Sequence, residues 1–212
     1  MAKPPDPDAA LMLLAKAGDM RAFEQLVEKY KQPIVNLMFR MLHDLSEAED
    51  LAQTVFIRVY QSASRYEVSA KFSTWIFTIA RHVCLNEIRR RARHPVLSMD
   101  STPPDTDEPA TRQFEDRDTF TPPQAFLHAE LQAKIQLALD ELPEKQRLAV
   151  LLCRQDELSY EQIARVLGLS LSATKSLIHR ARETLKLRLK PYLQTGAWPD
   201  EPAETIPGKR CL

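Results

Sequence analysis

The sequence predicts an all-α protein of two small helical domains joined by a flexible acidic linker, the second domain ending in a helix-turn-helix. Three observations carry that prediction. Apolar residues recur at spacings of three and four through residues 9–93 and 122–189. The interval between those stretches is rich in proline and acid and lacks the period. Near the end of the chain, a short capped pattern, a glycine and a basic second helix follow one another in the order of a helix-turn-helix. The divisions expected are residues 1–95, a linker at 96–121, a second domain at 122–192 and a tail at 193–212.

Residues Met1 to Asp8 hold three prolines and are expected to be frayed. From Ala9 the pattern is helical through Leu11, Leu14 and Ala15, with a break at Gly18-Asp19. Phe23, Leu26, Val27, Tyr30, Ile34, Leu37, Met38 and Met41 continue it, with Pro33 as a kink or boundary and Tyr30 and Phe39 as packing residues. Ser46-Glu-Ala-Glu49 reads as a capping box that opens a helix over Glu47 to Gln61. Its apolar side is Leu51, Ala52, Val55, Val59 and Tyr60, with Phe56 near the boundary. Asp50, Gln53 and Thr54 form a polar side, which fits either a solvated face or a docking surface for another protein.

Arg65 to Ser73 is polar with interspersed aromatics and reads as a loop, followed by a helix from about Thr74 to Arg93. Ile76, Ala80, Val83, Cys84 and Ile88 make its buried side. His82, Asn86, Arg89, Arg90 and Arg93 project from the other, and the cations from Arg81 onward face the single anion Glu87. Trp75 falls on the basic side. An aromatic beside a row of cations is the combination that grips single-stranded nucleic acid, although a core tryptophan fits the same position.

In the linker, Asp100, Asp105, Asp107, Glu108, Glu115, Asp116 and Asp118 outnumber Arg112 and Arg117. Thr121-Pro-Pro opens the second domain with a helix through Phe126, Leu127, Leu131, Ile135 and Leu139. Another begins at Pro143 and runs through Leu148, Val150, Leu151 and Leu152. His128 reads as a surface histidine. Ser159 and Gln162 have the spacing of a capping box for a helix through Ile163, Ala164 and Leu167, and Gly168 supplies the left-handed stop. Ser170 or Ser172 starts the last helix, with Ile178, Ala181, Leu185 and Leu189 as its buried stripe and Pro191 as its end. At about 100° per residue, the opposite face carries Lys175, Ser176, His179, Arg182 and Lys186, flanked by Arg180 and preceded by Ser172 and Thr174. Cap, turn, stripe and opposed basic face agree on major-groove DNA binding rather than on an ordinary hairpin with a solvated charged side.

Composition narrows the rest. The 29 basic and 29 acidic side chains cancel, so attraction to a phosphate backbone has to come from local patches. No run reaches the roughly 20 apolar residues of a membrane span, and the first residues lack a signal-peptide profile, so a cytoplasmic protein without membrane insertion is expected. The 3 cysteines, Cys84, Cys153 and Cys211, are widely spaced and indicate neither a disulfide framework nor a zinc site. With no phosphate-cradling loop, HExxH or GxSxG, neither an enzyme nor a cofactor or metal is expected.

Three ordered blocks then give a specific resemblance. Ala48 to Phe56 (AEDLAQTVF), Lys71 to Arg81 (KFSTWIFTIAR) and Leu142 to Arg147 (LPEKQR) ahead of the helix-turn-helix resemble bacterial extracytoplasmic-function sigma factors, over roughly Asp8 to Leu189. The resemblance implies a dissociable specificity subunit of core RNA polymerase that acts on promoter DNA. It implies that Glu49, Asp50, Gln53 and Phe56 dock on the polymerase. It also implies that the loop and helix carrying Arg65, Tyr66, Lys71, Phe72, Ser73, Trp75, His82, Asn86, Arg89 and Arg90 capture the melted minus-ten strand. Ser172, Thr174, Lys175, Ser176, His179, Arg180, Arg182 and Lys186 would read the minus-35 element. An acidic linker in the polymerase's RNA channel and an anti-sigma factor as restraining partner are further implications. Three features depart from the usual pattern: His82 where asparagine is common, Leu177 in place of an arginine and lying toward the apolar stripe, and the extension 193–212. The competing expectation is a stand-alone helix-turn-helix regulator that needs no polymerase. The tail composition suggests disorder, with Trp198 as a residue that docks in cis or on a partner.

Overall fold

A computed structural model describes residues 6–93, 122–155, 158–196 and 198, with side chains described from residue 127 in the second stretch. The linker reading falls almost wholly outside the described residues. Among the described residues the fold is all-helical and forms two domains. The first contains α1 (Pro7–Lys16), α2 (Met20–Leu42), α3 (Leu45–Gln61), a 3-10 turn at Ala63–Arg65 and α4 (Phe72–Arg93). The second contains α5 (Pro122–Asp140), α6 (Glu144–Cys153), α7 (Tyr160–Leu167) and α8 (Leu171–Thr195).

The chain is ordered earlier than its prolines suggest. Asp6 caps α1 by accepting from the Asp8 N–H at 3.3 Å, and Pro7 stands at the first helical position, where its missing N–H costs nothing. The buried side of α1 is Asp8, Ala9, Met12 and Ala15, whereas Leu14 is exposed. Asp8 accepts from the Tyr30 hydroxyl at 2.6 Å and pairs with Lys29 Nζ at 2.7 Å. Pro33 forms no boundary: α2 passes through it with one backbone donor missing. His43 ends α2 in a left-handed conformation with φ 62°.

The capping box expected at Ser46 is replaced by Asp44, whose side chain accepts from the Glu47 N–H at 2.9 Å. Leu45 thereby joins the helix. Tyr60 is not part of the buried side of α3: it is 51% exposed and lies against Phe23, with ring centroids 5.4 Å apart. At α4, the free oxygen of Asp6 accepts from the Phe72 N–H at 2.7 Å, which starts the helix two residues before Thr74. Phe72, Ile76, Phe77, Ala80, Val83 and Cys84 are buried, and α4 packs on α2 and α3 and also on α7 of the second domain.

In the second domain, Leu139, Leu142, Leu148, Leu152, Ile163, Val166, Ile178 and Ala181 form the core. Ser159 and Gln162 make the reciprocal capping box, and Gly168 closes α7 at φ 67°, ψ 36°. Ser170, not Ser172, caps α8. Pro191 does not end α8. Although a proline inside a helix loses its N–H bond and crowds the carbonyl four residues earlier, α8 runs four residues further to a left-handed stop at Gly196.

The apolar interiors of the two domains join into one cluster. At their boundary Arg40 of α2, buried, donates to Gln136 Oε1 at 2.9 Å and Gln132 Oε1 at 2.6 Å on α5. Burial, foremost, and nearby Arg154 lower its pKa from the ordinary arginine value. His43 Nε2 stands 3.0 Å from Asp140 Oδ1, and Arg81 Nη1 donates to the Val166 carbonyl at 3.1 Å.

Replacing Asp8 with alanine removes the charge-assisted bond from the buried Tyr30 hydroxyl and the ion pair to Lys29. The expected loss is about 2 kcal/mol, seen as a lowered urea midpoint and faster amide exchange in α1.

Candidate nucleic-acid interface

Two basic surfaces and one acidic surface emerge from the helices. On α8, Ser172, Lys175, Ser176, His179, Arg180, Arg182 and Lys186 are all exposed, opposite Ile178 and Ala181. Arg182 Nη1 donates to the Tyr160 hydroxyl at 3.2 Å, which ties α8 to α7. Thr174 is the exception: it is fully buried and its hydroxyl donates to the Ser170 carbonyl at 2.9 Å, so it serves the first turn of α8 rather than a groove. Leu177 packs on the core.

The edge formed by the loop before α4, and by α4 itself, is more selective. Arg65, His82, Asn86, Arg89 and Arg90 are exposed, and Lys71 and Trp75 are half-buried. Tyr66, Phe72 and Ser73 are buried and are corrected to positions beneath the surface. Tyr66 packs against Trp75 with centroids 4.8 Å apart and against Phe72 at 6.2 Å. Burial first, then Asp6 and Asp8, push its hydroxyl pKa up to about 12. Trp75 therefore has one side on this aromatic stack and the other open. Arg90 is held by both oxygens of Glu87 at 2.7 Å, and Arg91 by Glu87 and Glu47, so part of the apparent cation row neutralises acids of its own domain.

Beside His82 the structure adds residues that periodicity does not single out. Arg58, Gln61, Ser62, Ile79 and His82 line a concavity of about 190 Å³ between the end of α3 and the middle of α4. It offers guanidinium, amide, hydroxyl and imidazole groups around one apolar wall. Burial, then Arg81, Arg58 and Arg89, lowers the His82 pKa from its ordinary 6.5. The signal available in the sequence was only that Arg58 and Gln61 stand three residues apart in the last turns of α3; their convergence on α4 depends on tertiary packing.

On α3, Glu49, Asp50 and Gln53 are exposed. Phe56 is 9% exposed and belongs to the core, whereas the next residue, Ile57, is 55% exposed beside the acidic side chains. The described residues contain no His, Cys, Asp and Glu group suited to a metal ion and no helix long and apolar enough to cross a membrane. Burial drives the Cys84 thiol up to about 12, leaving it a small core residue.

Comparison with known proteins matches residues 26–94 to Sigma-70 region 2 and residues 132–185 to Sigma-70 region 4. The chain is 35% identical to the RNA polymerase sigma-H factor of Pseudomonas aeruginosa over 88% of its own length and 96% of that protein. It is also 35% identical to the ECF RNA polymerase sigma factor SigW of Bacillus subtilis, over 82% of this chain and 92% of that one. The chain belongs to the ECF RNA polymerase sigma factors. A sigma factor joins core RNA polymerase and directs promoter recognition, DNA melting and initiation, and the stand-alone regulator reading is set aside. CnrH, solved with the cytosolic domain of CnrY, shares the sigma-factor fold at TM-score 0.63 and 22% identity over 88% of this chain and 99% of that one. RpoE of Bartonella quintana, solved with the anti-sigma factor NepR, does so at 0.59 and 24% over 79% and 96%.

His82 of this sigma factor is expected to titrate below free imidazole, and Arg58→Ala to raise that value by removing a neighbouring cation. A depressed folded-state pKa makes its stability contribution complete above the ordinary 6.5 and lost as pH falls through the folded value. Imidazole NMR titration of both proteins checks the sign.

Proposed function

We propose a division of labour among these surfaces. Residues 122–192 read the minus-35 major groove with Ser172, Lys175, Ser176, His179, Arg180, Arg182 and Lys186 on α8. Residues 1–95 hold the melted minus-ten strand along Arg65, Lys71, Trp75, His82, Asn86 and Arg89, with the concavity at Arg58, Gln61, Ser62 and Ile79 facing a base or phosphate. Arg90 contributes field more than contact, because Glu87 already holds its guanidinium. Glu49, Asp50 and Gln53 meet the polymerase, with Ile57 as their apolar neighbour. The protein acts in the cytoplasm, catalyses no bond chemistry itself and, like the neighbour solved with NepR, is restrained by an anti-sigma factor.

The observation that carries this reading is that the exposed members of the three sets lie on different helices, cations on α8 and α4 and acids on the first half of α3. Phosphates meet cations on α8 and α4, and an acidic patch with one exposed isoleucine is left on α3 for a protein. Acids on α3 would repel DNA, which keeps that face for the polymerase.

Run-off transcription with core polymerase on fragments of the source genome tests it. Discrete transcripts are expected from the wild type. Asp50→Lys with Ile57→Asp should reduce them by about a hundredfold through the loss of roughly 3 kcal/mol of docking, with thermal stability unchanged. Phe56→Ala should instead destabilise the fold by about 3 kcal/mol. Full transcription from the double variant would remove the assignment of the α3 face.

A further inference from the structure

Arg81 heads the run of cations on α4, yet it is absent from the strand edge described above because its guanidinium is engaged elsewhere. Its Nη1 donates to the Val166 carbonyl in the last turn of α7 at 3.1 Å, a part-buried contact that joins the two domains. The bonds of Arg40 to Gln132 and Gln136, and the pair of His43 with Asp140, cross the same boundary.

Promoter geometry breaks this contact. Five residues at no more than about 3.5 Å each, then eight helical residues at about 1.5 Å, separate Val166 from His179. With an arginine side chain added, the middle of the basic face of α8 therefore stands within about 40 Å of His82. The minus-ten and minus-35 elements are by name about 25 base pairs apart, roughly 85 Å at about 3.4 Å per pair. Domains in contact cannot cover both. Residues 94–121 extend to at most about 95 Å, enough to bridge the gap once the domains part.

Separation takes the Val166 carbonyl away from Arg81 and leaves the guanidinium beside a charged polymer. Arg81 precedes His82 by one residue and Arg89 by eight, the latter roughly 80° around α4, so it flanks the proposed strand edge. Its field already acts there: after burial itself, Arg81 comes ahead of Arg58 and Arg89 among the causes that lower the His82 pKa. An arginine side chain has enough rotatable bonds to turn from α7 to that edge without moving α4. A phosphate then offers a bidentate pair of anionic oxygens where Val166 offers one neutral oxygen.

We propose that Arg81 serves two partners in turn, the carboxy-terminal turn of α7 in the free protein and a phosphate of the melted strand once the promoter has parted the domains. This rests on the assignment of α4 as the strand-holding helix. The exchange couples opening to capture, because the cation that holds the domains together becomes available where the strand is held. Promoter binding replaces one of the contacts it breaks.

Arginine labelling of the wild type tests this, with phenylglyoxal as the probe and peptide mass spectrometry as the readout. Three states are compared: the free protein, the holoenzyme with core polymerase, and the holoenzyme on a promoter found by run-off transcription and given a mismatched minus-ten bubble. Arg81 should be protected, then about fivefold more reactive, then protected again. Equal labelling in the first two states overturns the proposal, as does persistent labelling of Arg81 on the bubble while Arg89 becomes protected. Labelling of both arginines on the bubble removes the assignment of α4, and the proposal with it. Arg81→Met keeps the stem and drops the charge. Its holoenzyme should bind the bubble about fivefold more weakly and lower the slope of log affinity against log salt by roughly 0.7, and Arg81→Lys should restore the slope. Unchanged affinity and slope for Arg81→Met overturn the strand contact, and a variant that only weakened the fold would not move the slope.

Discussion

Two carboxylates, Asp6 and Asp8, hold the loop and the start of α4 in the first domain. Asp8 is buried, and a buried carboxylate is tolerable only when donors surround it; the Tyr30 hydroxyl and Lys29 ammonium do so. That contact fixes α1 on α2. Asp6, two residues earlier, then caps α1 with one oxygen and accepts the Phe72 N–H with the other, so one side chain begins two helices. From the other end of α1, Lys16 donates to the Tyr66 carbonyl at 2.9 Å. The loop between Tyr66 and Phe72 is consequently held at both ends by α1, and the aromatic stack of Tyr66, Phe72 and Trp75 follows from those two attachments. What looks like a frayed leader is the template for the loop.

The helices were legible because their periodicity and caps are local properties. Ser159, Gln162 and Gly168 state the helix-turn-helix without reference to anything distant. The errors arise where a rotation of about 100° between neighbouring residues decides a role. Phe56 and Ile57 differ by one position, and the larger ring went inside while the smaller branched chain stayed out. Thr174 turned toward the core for the same reason. Tyr66, Phe72 and Ser73 sit in a segment without a period, so nothing in the sequence could say which of its aromatics are floor and which are surface. Trp198 illustrates the opposite limit. Composition left Trp198 between a disordered tail and a docked residue, and a glycine stop with a lysine on α5, 64 positions upstream, makes a seat for it.

A formal charge of zero conceals an uneven distribution. Many cations are committed to acids inside the protein: Arg91 to Glu47 and Glu87, Arg147 to Asp140, Arg188 to Glu141, Lys29 to Asp8. Among the described residues, the exposed cations that remain include Lys175, Arg180, Lys186 and Lys190 on α8 and Arg89 and Arg93 on α4, with others on α2, α3, α6 and α7. Attraction to DNA is therefore short in range and strongly dependent on salt. Polymerase, by fixing both domains on one promoter, supplies through tethering what bulk charge does not.

Arg81 shows how the two domains divide such resources. By sequence it begins the basic run of α4. In the fold its guanidinium turns away from that face and donates to the Val166 carbonyl, one of the last-turn acceptors that α7 cannot satisfy internally. A cation at a helix carboxy terminus also meets the negative end of the dipole. Gly168 lies beside this contact, but a Cβ there would meet Arg81 Nη1 at 4.0 Å, an ordinary distance. Glycine is required by the left-handed turn and not by crowding. The turn between α7 and α8 thus exposes carbonyls that an arginine of the first domain completes. With that contact the domains meet through α4 and α7 while the basic face of α8 stays in solvent.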